Sequence, residues 1–403
     1  MALMPVADAL SAVLDGALPL PEESVALDTA HRRVLARDLA ALRTQPPQPM
    51  SAMDGYAVRA ADVATAGARL RVIGEVAAGR PADVALRDGE ALRIFTGGVI
   101  PAGADTVVIQ EDTLRDGDIV TITEAAQPGR HIRPAGIDFE TGQVLLRRGT
   151  RLSDRDLSLA AGMNHPMLPV HRRPLVAMLA TGDELVMPGT EPGPGQIVYS
   201  NGYALRALAR DEGAEITDLG IAADTMEATT SAIRRARDAG ADLLVTTGGA
   251  SAGDHDMVKR ALEAEGVDLA FWKIAMRPGK PMMHGRRGAM AVIGLPGNPV
   301  SSYVCAFLFM VPLIRALAGR HEVHHVPQPA KLGGDLPAND QRQDYVRARL
   351  EIDPDGQLLA TPVQRQDSSL LGKLAAAQAL VIRSPFAPAA SAGSACTILK
   401  LPL

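Results

Sequence analysis

The residues best suited to chemistry lie in two stretches, 246–256 (TTGGASAGDHD) and 276–281 (MRPGKP). Gly248, Gly249 and Gly253 let the first stretch turn with positive φ and come close to a ligand. The N–H groups exposed in such a turn, and at the start of a following helix, attract anions. Asp254 and Asp256 add two carboxylates beside this loop, which invites a divalent cation between them and a phosphate. In the second stretch Pro278 and Gly279 separate Arg277 from Lys280, and a rigid turn there aims both cationic heads at one place. The competing reading is plain: a tight strand–helix turn with Asp at its cap, and solvated surface charges.

Positioning these residues requires a strand before the glycines and a helix after them. Residues 242–246 (DLLVT) form a short apolar β-prone run, and Val258, Ala261, Leu262 and Glu265 recur with helical spacing. A Gly-rich turn between a strand's C-terminal end and a helix is where a doubly wound sheet places its ligand. From Pro174 onward strands and helices alternate. Residues 175–180 run as a strand into Thr181-Gly-Asp-Glu-Leu185, Ser200 and Asn201 cap a helix through Leu205 and Leu208, and Asp224 and Glu227 form a capping-box pattern before Ile233. Strands at 269–274 and 289–294 and a long apolar helix after Pro299 complete an α/β unit with a mostly parallel sheet.

Around this unit the pattern differs. Val6, Leu10, Val13 and Leu14 share one helical face, and a second apolar-periodic piece covers 25–39. Three prolines within 45–58 stop any helix and mark a boundary, and Asp54–Gly55 reads as a turn. Residues 68–124 read as β, with strands at 69–76, 91–95, 106–110 and 119–123 and a hairpin turn at Asp116–Gly117. The Gly/Pro loop at 96–105 is longer than its connecting role needs, which points to function. Residues 130–142 set Arg130, His131 and Arg133 near Asp138, a pattern that an ordinary polar loop explains equally well. Residues 321–326 (HEVHHV) read as a His-containing linker. In 345–352 Val346, Ala348, Leu350 and Ile352 alternate with Arg347, Arg349 and Glu351, so residues 327–403 read as a small all-β module.

Composition narrows the function. At 403 residues, a prior of ~150 residues per domain suggests two to four domains. Aromatics are 3% of the chain and net charge is −5, so neither a stacking platform nor a basic footprint for nucleic acid is present. Cys305 and Cys396 form no CxxC, which argues against a disulfide scaffold or zinc ribbon and fits a reducing compartment. The first residues lack a basic n-region, and the apolar run 304–314 is about half the ~20 residues a membrane span needs. The expectation is a cytoplasmic protein without a membrane segment.

Taken together, SAMDGYAV, TGGVIPAGAD, TGDEL, SNGYAL, TTGGASAGDHD, FWKIAMRPGKP and GLPGNPVSS, in this order, resemble molybdopterin molybdenumtransferases, the family that includes the E domain of gephyrin. The resemblance runs from about Ser51 to Ser302 and more weakly to Ser369. It implies a multidomain chain: a discontinuous connecting and dimerisation α/β domain (1–45 and 139–173), a mainly-β domain (46–138) facing the partner's site, a three-layer molybdopterin-binding α/β domain (174–326) and a β-barrel-like domain (327–403). It implies transfer of molybdenum from molybdate, the co-substrate, to adenylylated molybdopterin with release of AMP. A homodimer, Mg²⁺ and a partner molybdopterin adenylyltransferase come with it.

The family positions map onto Asp54, Glu184, Asp224, Asp256 and Lys273 as catalytic groups, with Asp256 and Glu184 as the Mg²⁺ ligands. Asp224 is equally explained as a helix cap. Thr96 and Asp54 would reach the partner chain's site. Asp138, Gly248, Gly249, Ser251, Gly253, Arg277, Lys280, Pro281, Arg342 and Ser368 would contact substrate, and the loop carrying Pro296, Asn298 and Ser301 would close the crevice. Gln48 where the family often has Phe, Arg277 for a common Lys, and the loosely matched segment around Ser368 depart from the pattern. Two other readings of this architecture are a related adenylyltransferase or nucleotide pyrophosphohydrolase, and a non-enzymatic peptide-binding scaffold like gephyrin.

Overall fold

The computed structural model describes residues 3–248 and 257–402. Gly249, Ser251, Gly253, Asp254 and Asp256 therefore lie outside the described residues. In the mainly-β region, β1 (Gly55–Val58), β2 (Arg69–Val76), β3 (Glu90–Ile94), β4 (Thr106–Ile109), β5 (Thr113–Asp116) and β6 (Ile119–Ile122) form one sheet in the order β4-β1-β3-β2-β6-β5. Only β2 and β3 pair in parallel, and β5 and β6 form the hairpin expected at Asp116–Gly117.

The central domain contains β7 (Leu175–Thr181), β8 (Glu215–Ala222), β9 (Leu243–Thr247), β10 (Asp268–Lys273), β11 (Pro281–Arg287) and β12 (Met290–Leu295), ordered β8-β7-β9-β12-β11-β10. The first four strands in that order are parallel; β11 and β10 are antiparallel additions at one edge. Side-chain alternation along β7 builds the three layers. Val176 and Met178 enter one core with α3 (Asn201–Asp211) and the helix Pro299–Leu317, whereas Ala177 and Leu179 enter another with α4 (Met226–Asp238) and α5 (Met257–Ala264).

The apolar run read at 304–314 is part of a longer element. Pro299–Leu317 forms 19 helical residues with a π turn at Ala306–Met310, next to Pro312. By length and composition it could cross a membrane, but 83% of its apolar window is buried inside the protein. It is the core helix of the α/β domain. The helix α1 (Val6–Leu14) packs on it through Val6, Ala9 and Val13, so the first residues share the core of the α/β domain. The periodic piece at 25–39 is not a helix. Its start pairs as the strand Glu22–Ala26 with Met167–His171, and a short 3-10 helix at Leu27–Thr29, turns and the start of the strand Leu39–Ala40 follow, filling a separate core with α2 (Asp154–Gly162).

The C-terminal module is a closed five-stranded barrel of β13 (Gln328–Leu332), β14 (Gln343–Ile352), β15 (Leu358–Pro362), β16 (Ala379–Arg383) and β17 (Ala395–Lys400), sealed by pairing of β14 with β16. Two residues break the expected alternation. Arg347 is 1% exposed and donates to Gln366 Oε1 (3.2 Å) and the Asp367 carbonyl (2.9 Å), while Ile352 is 75% exposed at the strand's end. Carbonyl oxygens satisfy Nε and Nη2 of this buried guanidinium, while Nη1 has no hydrogen-bond partner among the described residues, an arrangement that a binary pattern does not register.

Three further local readings change. The cap of α4 is Thr225, whose hydroxyl accepts from Ala228 N at 3.2 Å, so Asp224 is not the cap. Ser200 occupies the N-cap position of α3 but makes no side-chain cap bond. His325 is more than linker: it stacks on Phe307 with centroids 3.8 Å apart, and its Nε2 lies 2.6 Å from the Phe307 carbonyl. Burial lowers its pKa to about 4, so it packs as a neutral ring.

Glu212 at the end of α3 pairs with Arg315 (2.7 Å) and Arg320 at the end of the core helix, all three largely buried. Burial alone would raise the Glu212 pKa, but the Arg315 hydrogen bond and the charges of Arg315, Arg320 and Arg151 outweigh it and hold the carboxyl below its ordinary value. A depressed carboxyl stabilises the fold above its unfolded pKa, and that contribution is lost as pH falls through the folded value. Glu212→Ala leaves two buried guanidinium groups unpaired and is expected to cost about 3 kcal/mol in urea unfolding at pH 7. Glu212→Gln is expected to flatten the acid side of the stability–pH curve below the carboxylate range.

Candidate functional site

The main cleft, about 800 Å³, opens at the C-terminal ends of β7 and β9. Parallel topology delivers these ends to one side of the sheet, which is where such folds bind ligands. Gly248 closes the end of β9 with φ +89°, and a Cβ there would overlap the Thr181 carbonyl oxygen at the end of β7. Only glycine lets the two strand ends approach in this way. Of the predicted residues, Glu184, Gly248, Lys273, Lys280, Pro281, Pro296 and Asn298 line this cleft.

The lysines come from one hairpin. Lys273 ends β10 and pairs with Pro281 at the start of β11, and Ile274 N donates to the Lys280 carbonyl at 3.0 Å. The hairpin is held on both flanks. Met4 N donates to the Lys273 carbonyl (3.1 Å), Ala275 N donates to the Met4 carbonyl (2.7 Å), and Gln343 N of the barrel donates to the Ala275 carbonyl (2.9 Å). At its tip Gly279 (φ +109°) lies against Cys305 of the core helix, and a Cβ there would overlap the Cys305 sulfur.

Arg277 does not share the lysines' direction. Met276–Arg277 pairs in parallel with β14, which turns Arg277 toward the barrel. There it forms ion pairs with Asp344 and, at 3.5 Å, Asp340, beside a second cavity of about 200 Å³. Arg342 joins the same group through Asp340 at 2.7 Å. Hydrogen bonds from the Arg342 side chain and backbone, with the charge of Arg277, lower the Asp340 pKa to about 2.

Ser368 does not itself line the cleft, but its hydroxyl accepts from Asn298 Nδ2 at 3.1 Å, and its neighbour Ser369 is on the cleft wall. Ser301 is buried in the first turns of the core helix. Asp224 faces Asp183: Asp224 N donates to Asp183 Oδ1 (3.1 Å) and Asp183 N to Asp224 Oδ2 (3.4 Å). Asp54, Thr96 and Asp138 do not line the cleft of their own chain. Asp54 and Thr96 nonetheless meet, with Thr96 N (2.7 Å) and Oγ1 (2.8 Å) both donating to Asp54 Oδ1. Those two bonds hold the Asp54 carboxyl below its usual range. Asp138 is exposed, tied through its backbone N–H to Gln45.

Sequence reasoning missed the apolar wall. Leu185, Ile197, Val198, Tyr199 and Leu371 face the lysines' cleft, the middle three from the Pro/Gly-rich excursion between β7 and α3. That segment lacks any period that would separate it from a loop. It also missed Asn201, which donates through Nδ2 to the Gly297 carbonyl at 2.7 Å instead of capping its helix. The cleft thus combines two cations, a carboxylate, glycine backbone and an apolar wall, a set suited to a large, partly aromatic, phosphorylated ligand.

Family models cover nearly the whole chain: the MoeA N-terminal region (domains I and II) over residues 4–163, a probable molybdopterin binding domain over 177–316, and the MoeA C-terminal region (domain IV) over 329–401. A molybdopterin molybdenumtransferase from Haemophilus influenzae is 34% identical, with 94% of this chain and 95% of that protein aligned. One from Bacillus subtilis is 36% identical over 89% and 85%, and one from Nostoc sp. 40% identical over 74% and 70%. A crystal structure of the molybdopterin biosynthesis MoeA protein from Pyrococcus horikoshii superposes with TM-score 0.85 at 31% identity, covering 99% of each chain.

Because Thr96 supplies both hydrogen bonds to Asp54, its removal is directly readable. In Thr96→Val the side-chain bond is lost and the Asp54 carboxyl is expected to titrate closer to its ordinary range. Carboxyl-carbon NMR titration checks this, and an unmoved Asp54 would show that the backbone bond alone sets its acidity.

Proposed function

The chain belongs to the molybdopterin molybdenumtransferase family and is a transferase that inserts molybdenum in molybdenum cofactor biosynthesis; on that premise we propose how its own residues carry out the finer steps. The substrates are adenylylated molybdopterin and molybdate, and the products are the molybdenum cofactor and AMP. The observation that carries this reading is the cleft's polarity: Lys273 and Lys280 on one hairpin, Glu184 at the end of β7, and an apolar wall in a single cavity. Fixed ammonium groups neutralise phosphate and molybdate oxygens, and the aliphatic wall with Tyr199 covers the flat ring systems.

Mg²⁺ fits the donors present. Glu184, Asp183 and Asp224 offer only hard carboxylate oxygens; among the described residues no three His, Cys, Asp or Glu form a group that could hold a metal ion, so the proposed site draws on Asp256 and substrate oxygens as well. Mg²⁺ is commonly held by one or two carboxylates together with substrate phosphates. Asp256 and Glu184 are the proposed ligands. When bound, the ion neutralises charge on the phosphoanhydride. The Thr181 hydroxyl, buried on the cleft wall without a hydrogen-bond partner among the described residues, suits a contact to bound substrate.

Asp54 and Thr96, absent from their own chain's cleft, fit a homodimer in which the mainly-β domain faces the partner's site. Asp138 belongs to the same proposal. Gly249, Ser251 and Gly253 are proposed, with Gly248, to contact the substrate. Arg277 and Arg342, ion-paired with Asp340 and Asp344, are proposed to reach the substrate from the barrel side. The surroundings are proposed to be cytoplasmic, where a molybdopterin adenylyltransferase supplies the adenylylated substrate.

The test measures AMP release from adenylylated molybdopterin with Mg²⁺, with and without molybdate. Wild type is expected to show molybdate-stimulated release. Lys280→Ala and Glu184→Ala are each expected to lose on the order of 100-fold in rate, the usual scale for a missing electrostatic group. Release that molybdate does not stimulate would point to a pyrophosphohydrolase. Absence of release with tight peptide binding would point to a scaffold.

A further inference from the structure

The loop Pro296–Pro299 hangs between two modules. On one side Asn201 Nδ2 donates to the Gly297 carbonyl at 2.7 Å, fixing the loop to the start of α3. On the other, Asn298 Nδ2 donates to Ser368 Oγ at 3.1 Å, and Val300 N donates to the Ser368 carbonyl at 3.0 Å, fixing it to the barrel's 366–371 segment. A serine hydroxyl has one proton and two lone pairs. The Asn298 amide occupies an acceptor site, so the Ser368 proton remains available for a different partner. Asn298 itself lines the cleft with Ser369 and Lys280.

We propose that Asn298 is a positioning residue: its amide fixes the orientation of the Ser368 hydroxyl, so that Ser368 presents a hydrogen-bond donor to the molybdate oxyanion. This rests on the proposed function and adds to it a contact from Ser368, next to the cleft-lining Ser369, to the oxyanion beside Lys280. Asn298 makes no contact with molybdate of its own; it selects one rotamer of a hydroxyl that would otherwise turn freely. An isosteric carboxylate at position 298 reverses the arrangement, because it accepts the hydroxyl proton and removes the donor from the anion.

The experiment is a double-mutant cycle on the full-length protein, read as the dissociation constant of molybdate by equilibrium dialysis. In parallel, kcat and KM for molybdate and for adenylylated molybdopterin are measured. Ser368→Ala is expected to weaken molybdate about three- to tenfold, the scale of one net hydrogen bond. Asn298→Ala is expected to do the same with the KM for adenylylated molybdopterin unchanged, and Asn298→Asp to weaken molybdate further. In the Ser368→Ala background Asn298→Ala is expected to cause no additional loss. If Ser368→Ala leaves molybdate binding unchanged, the Ser368 contact and the inference both fall. If Ser368→Ala weakens binding while Asn298→Ala does nothing, or adds its full effect in the double variant, the positioning role alone is overturned. Equal thermal unfolding midpoints of the variants exclude a folding defect as the cause.

Discussion

The hairpin Lys273–Pro281 is the constraint on which the rest of the site depends. Its backbone is hydrogen-bonded to the N-terminal segment through Met4, to the barrel through Gln343, and to itself through Ile274 and Lys280. Its tip rests on Cys305 of the core helix at a position where any Cβ would collide. Four parts of the chain, far apart in sequence, thus agree on one location for two lysines. Ammonium groups carried on a held backbone can bind an anion without first ordering the loop that carries them.

This arrangement explains the placing of the apolar mass. The helix Pro299–Leu317 is largely apolar because most of it is enclosed: the sheet, α1, α3 and the C-terminal strands contribute to one core with it. Its burial supports the hairpin tip from beneath. The barrel is then more than an appendage. It pairs with Met276–Arg277, returns Gln343 to the hairpin, and sends the 366–371 segment to the cleft's rim.

Charges are divided between the two cavities by the same hairpin. Lys280 faces the large cleft, while Arg277, three residues earlier, is turned by strand pairing into a cluster with Asp340, Asp344 and Arg342. Ion-paired arginines and cleft-lining lysines therefore stand on opposite sides of one short turn. Carboxylates are likewise organised before substrate arrives. Asp183 and Asp224 hold each other's backbone N–H groups, and Thr96 holds Asp54.

By itself the sequence determined the alternation of strands and helices after Pro174, the β character of 68–124 and 327–403, and the cleft-lining places of Gly248, Lys280 and Pro281 within the Gly-rich and MRPGKP segments. These are local matters: side-chain period, glycine and proline placement, and charge spacing encode them directly. The tertiary structure alone decided what depends on distant partners. Arg347 is buried because Gln366 and Asp367 reach it, and Asp224 is released from capping because Thr225 takes that role. Arg277 parts from Lys280 because β14 captures Met276–Arg277, and the cleft's apolar wall forms because the excursion before α3 folds over it. None of these follows from spacing, since each is a competition between partners that only the folded chain brings within reach.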